Sequence, residues 1–145
     1  MNHFLFVDTA QKQVQLLQSF LDLIGPVNAD LLSHVDINLP AAVSMGHQPG
    51  AVKLEEDELR TIRILGKNCG RLTTLGLRIQ RNNSRFITGT DGDSAQSTRE
   101  ALRQIHAQLQ AIPSLVTINA RVTIKDLSSA AMDAMQSLGW NVLFD

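Results

Sequence analysis

The segment 72-LTTLGLRI-79 opens on a leucine and then sets apolar residues at alternate positions, Leu75, Leu77 and Ile79. The same spacing occurs in 32-LSHVDINL-39 and again in 115-LVTINARV-122. Aligned on the first residue, Leu32, Leu72 and Leu115 coincide. Below them fall Val35, Leu75 and Ile118, then Ile37, Leu77 and Ala120, then Leu39, Ile79 and Val122. A period of two is the pattern of a strand that buries one face. The opening leucines stand 40 and 43 residues apart, and each interval contains one amphipathic helix pattern. Strands separated by a helix cannot close a hairpin, so they pair in parallel through a crossover.

Working outward, 3-HFLFV-7 and 140-WNVLF-144 read as first and last strands. Four helices fit between the strands. In the first, Val14, Leu17, Leu21 and Ile24 share a face, with Asp8 or Thr9 as cap and Gly25-Pro26 as stop. The second runs from about Glu56 to Asn68, with an acidic first turn suited to the positive end of the helix dipole and an inner stripe of Leu59, Ile62, Leu65 and Cys69. In the third, Leu102, Ile105, Leu109 and Ile112 repeat the step, and Ser97 and Glu100 have capping-box spacing, although Asp93 or Ser94 could open it instead. Ser128 or Ser129 caps a short fourth helix. Polar loops are expected over residues 41 to 53 and 82 to 93.

The expected fold is a single α/β domain spanning residues 1–145, a short leucine-rich-repeat-like solenoid. It would have about five mostly parallel strands in sequential order and four helices on one face. The strands' other face carries Asp36, Asn38, Gly76, Arg78, Gln80, Asn119, Arg121 and Thr123, and is expected to be wet. A sheet covered on both sides would read as continuous apolar strands. A doubly wound nucleotide-binding sheet would need a glycine-rich first turn, and Val7-Asp8-Thr9-Ala10 has none.

Composition narrows the function. A net charge of −1 gives no basic field for nucleic acid, and with no tyrosine and one tryptophan there is no stacking platform. The lone Cys69 excludes an internal disulfide, and no apolar run reaches the length of a membrane span or of a signal core. These features lead to an expectation of an intracellular protein, cytoplasmic or nuclear. His3, His34, His47 and His106 share no metal-ligand spacing. Asp91-Gly92-Asp93 lacks the further acidic ligands of a calcium loop and reads as a turn entering a helix. Cys69 reads as a buried structural thiol. No catalytic, metal or cofactor site is expected.

The runs 17-LQSFLDLIGPVNADLLSHVDINLP-40, 68-NCGRLTTLGLRI-79, 112-IPSLVTI-118 and 135-MQSLGWNV-142 resemble the C-terminal α/β region of fungal F-box-type proteins. The matching residues are packing and turn residues, and no segment matches the F-box that recruits a ubiquitin-ligase adaptor. The resemblance therefore implies a substrate-recognition-type region without its recruiting module. The residues themselves point to Asn38, Arg78, Gln80, Asn119 and Arg121 as a surface for a protein partner of acidic character. The planar guanidinium fork of arginine suits carboxylate. The competing class is a small enzyme with a site built from the long loops at the strand ends, gathering Asp91, Asp93, His47 or His106. The terminal strands are apolar on both faces, which makes them candidates for a homodimer contact.

Overall fold

The computed structural model describes residues 3–6, 10–44, 52–80, 92–125 and 127–144. In chain order these form β1 (His3–Phe6), α1 (Ala10–Asp30), β2 (His34–Asn38), β3 (Ala42–Ser44), β4 (Val52–Leu54), α2 (Glu56–Asn68), β5 (Thr74–Ile79), α3 (Gly92–Leu109), β6 (Thr117–Val122), α4 (Ser129–Ser137) and β7 (Asn141–Phe144). Strands β1, β2, β5, β6 and β7 lie side by side in that order, every neighbouring pair parallel. β3 and β4 make a separate antiparallel pair.

The hydrogen-bonded register is the register of the sequence alignment. Val35 pairs with Leu75 and Leu75 with Ile118; Ile37 pairs with Leu77 and Leu77 with Ala120; Ile79 pairs with Val122. The leucines that open the segments sit at the helix-to-strand turns, Leu32 and Leu72 buried and Leu115 half-buried. Side chains lock these turns from one segment to the next. Thr73 Oγ1 donates to the Ser33 carbonyl at 3.3 Å, and Ser114 Oγ donates to the Leu72 carbonyl at 2.7 Å.

All three apolar strand halves enter one core with Leu17, Leu21, Ile62, Leu65, Leu102, Ile105, Leu109 and Met135. The helices touch in chain order, α1 on α2, α2 on α3 and α3 on α4. This gives a single layer over the apolar side of the sheet. Trp140 joins the core, and its Nε1–H donates to His106 Nδ1 at 3.0 Å, tying α3 to the start of β7. Cys69 is buried, as expected, and burial pushes its thiol up to about 11, with Asp30 adding to the shift.

Gly25-Pro26 ends the first regular run of α1, as expected: Gly25 leaves helical geometry at φ 82° and ψ 164°, which glycine tolerates, and a further short run of helix follows as far as Asp30. Pro26 sits at the start of that run, where its missing N–H costs nothing. Other expectations are corrected. Residues 41 to 53 are not simply loop, because they contain the β3–β4 pair, which docks on α3 through Gln104 Nε2 and the Val52 carbonyl at 3.0 Å. Ser97 does not cap α3; it lies inside that helix, and Glu100 instead pairs with Arg103 at 2.6 Å. Ser128 does cap α4, accepting from the Ala131 N–H at 3.1 Å. The expected cap at Asp8 or Thr9 lies outside the described residues, as do Val7, His47 and residues 81 to 91.

Candidate interaction face

The second face of the sheet is a grid built by the parallel register. One row across the strands holds Asp36, Gly76, Asn119 and Asn141, and the next holds Asn38, Arg78, Arg121 and Leu143. Arg78 and Arg121 are direct partners on adjacent strands, which in a sheet places their Cα atoms about 5 Å apart. Both are half-buried, as are Gln80, just past the end of β5, and Asn119. Asn141 Nδ2 donates to Asn119 Oδ1 at 3.0 Å, which orients both amides at the outer end of their row.

This face is not uniformly wet, contrary to the sequence expectation. Asp36 is only 2% exposed and Asn38 is also buried. The Asp36 carboxylate lies directly over Gly76, where any side chain would collide with it, and its Oδ1 meets His34 Nε2 at 3.0 Å. The backbone N–H of Asn38 donates to Gln13 Oε1 at 2.9 Å, and Gln13 is itself fully buried. The β2 half of the grid is therefore internal structure, which takes Asn38 out of the contact surface expected for it. What remains accessible runs from Arg78 and Gln80 across Asn119 and Arg121 to Asn141 and Leu143.

The register sets two arginines at neighbouring strand positions, and the planar fork of arginine suits a carboxylate. Leu143 extends the same row with an exposed apolar side chain. The face thus sets two arginines, amides and an apolar step within one line.

A second chemical feature lies on the other side of the molecule, where the sequence pattern was read differently. Glu58, in the acidic first turn of α2, is 4% exposed. The Ala41 N–H hydrogen-bonds to it, while Oε2 has no hydrogen-bond partner. Burial, reinforced by the charges of Glu55 and Asp57, pushes its carboxyl up to about 7. The signal was present in the spacing, because Glu58 stands four residues before Ile62, on the same stripe as Leu65 and Cys69. Gln13 stands likewise four residues before Leu17.

Among the described residues no group of three histidines, cysteines, aspartates or glutamates could hold a metal ion, and no helix is long and apolar enough to cross a membrane. The loops of the competing enzyme site, with His47 and Asp91, lie outside the described residues, and His106 is engaged with Trp140. The fold and this face define an α/β protein with a parallel sheet, one side sealed by helices and the other presenting a line of polar and cationic side chains. No protein-family model matches the chain, and no match is found among curated proteins or solved structures.

Proposed function

We propose that the protein is a protein-interaction module that holds an acidic, extended segment of a partner across β5, β6 and β7. The observation that carries this reading is the in-register pair Arg78 and Arg121, continued by Leu143. The strand-and-helix units stack as a degenerate leucine-rich-repeat-like solenoid, whose strand face is the recognition surface. The F-box-type resemblance supports the same use, a recognition region separated from a recruiting module. Arginines aligned on rigid strands hold a carboxylate with less lost side-chain freedom than arginines on loops.

The test is binding of an array of extended acidic peptides carrying a neighbouring apolar residue. The Arg78→Glu/Arg121→Glu variant should lose binding by about 100-fold or more, and binding by the unaltered protein should weaken with salt. Lys125→Glu, an exposed charge reversal outside the row, should change it little. Peptide binding unchanged in the double variant would remove the proposal.

A second reading, a small enzyme with its site at the strand ends, draws support from Glu58, whose carboxyl titrates near neutrality as a general acid or base requires. Because Glu58 is sealed beneath the segment at Ala41, that chemistry would need the β3–β4 pair to lift.

A further inference from the structure

The row on the strand face has a fixed spacing, and that spacing sets which side chains of a bound segment can reach it together. Arg78, Arg121 and Leu143 stand at directly paired positions on β5, β6 and β7. Neighbouring strands lie about 4.8 Å apart. A carboxylate shared by the two arginines falls between β5 and β6, which puts it one and a half strand spacings, about 7 Å, from Leu143 on β7. An extended chain crossing the strands rises about 3.3 Å per residue and turns alternate side chains to the same side. Its residues i and i+2 are about 6.6 Å apart and both face the sheet. Residues i and i+1 are only about 3.3 Å apart and face opposite ways, and i and i+3 are about 10 Å apart and also face opposite ways.

We propose, resting on the interaction reading above, that this face selects segments in which an acidic residue and a large apolar residue are separated by a single residue. The acidic side chain takes the place over Arg78 and Arg121, and the apolar one packs on Leu143, which is 41% exposed.

The two ends of the row limit the motif to those two side chains. The next position toward β2 is Asn38, which is buried, so a further residue of the segment finds no contact there. On the other side β7 is the outer strand of the described sheet, and a residue two places beyond the one on Leu143 falls past its edge. The neighbouring row explains why the intervening residue is not read. It holds Asn119, half-buried, and Asn141, exposed. The bond from Asn141 Nδ2 to Asn119 Oδ1 turns Asn119 Nδ2 and Asn141 Oδ1 outward from that pair, one donor beside one acceptor. A segment whose alternate side chains point at the sheet directs its N–H and C=O groups sideways, toward that row. The amides therefore suit its main chain, whatever the middle side chain is.

Fluorescence polarisation of the whole chain with labelled peptides tests the spacing. Each peptide carries one Glu and one Leu in a Gly/Ser background, with zero, one or two residues between them, in both orders. The single-residue spacing should bind about 10-fold or more tightly than the other two in at least one order. Leu143→Arg, at an exposed position, should keep the circular dichroism of the unaltered protein and reverse the preference, so that Glu-x-Glu binds about 10-fold or more tightly than Glu-x-Leu. Equal affinity at all three spacings would overturn the proposal, as would a Leu143→Arg variant that still prefers Glu-x-Leu. If Arg78→Glu/Arg121→Glu nevertheless abolishes binding in those cases, the interaction reading stands and only the spacing rule falls. Binding of no peptide at all would bring down both.

Discussion

Replacing Glu58 with glutamine tests how the core tolerates its buried carboxyl. Ionised, Glu58 gains a favourable interaction of about 0.3–1 kcal/mol from the N-terminus of α2 and one hydrogen bond from the Ala41 N–H. Against these stand burial at 4% exposure and two like charges, Glu55 and Asp57. Burial wins, and the carboxyl rises from 4.5 to about 7. A folded-state pKa above the unfolded one means that the native protein holds a proton the unfolded chain releases. The stabilisation from that proton is fully present below pH 4.5 and is lost as pH rises through about 7. At 1.36 kcal/mol per unit, ionisation above neutrality costs the fold about 3 kcal/mol. Glutamine is nearly isosteric, keeps an acceptor for Ala41 and does not titrate. Urea unfolding of both proteins should therefore give similar stability near pH 4.5, with Glu58→Gln pulling ahead by about 2–3 kcal/mol near pH 8.5. Other titrating groups cancel in the difference. Two curves that run parallel in pH, or a glutamine variant less stable at the alkaline end, would refute the reasoning.

The close approach of Asp36 to Gly76 makes a second prediction. An added Cβ at Gly76 would stand 2.7 Å from Asp36 Cγ. Gly76→Ala should therefore cost about 2–4 kcal/mol in denaturant unfolding, as overpacking and the displaced carboxylate add, and Asp36→Ser in the same chain should recover part of that. At the start of α4, Ser128→Ala removes the acceptor for the Ala131 N–H and should cost about 1 kcal/mol, read as faster amide exchange in α4.

Much of the fold was legible because each strand carries its own evidence. Leu75, Leu77 and Ile79 can be alternately buried only in a strand, and the helix patterns before and after them forbid a hairpin on either side. The shared leucine then aligned the segments correctly, because Leu32 and Leu72 fill the same niche under the helix ends and so place the following residues in register. The polar face was harder to read. Arg78 and Arg121 were legible as neighbours from that same alignment. Asn38 belongs to the same row, yet it is buried, and its backbone N–H is taken by Gln13, a residue twenty-five positions earlier on α1. Gly25-Pro26 was legible as a break, but the short helical run that follows it was not. Ala29 and Leu32 are buried beyond the break, and that burial accompanies one more helical turn.

The sequence alone determined strand direction, register and the side on which the helices lie, since these follow from periodicities within each segment and from the distance between segments. Tertiary structure alone decided which polar groups are sealed. Asp36 is hidden because a glycine forty residues later leaves room for its carboxylate, and Glu58 is hidden because it stands on an apolar stripe beneath the segment at Ala41. Local pattern reports what a residue would prefer to face, whereas burial depends on what the rest of the chain sets in front of it.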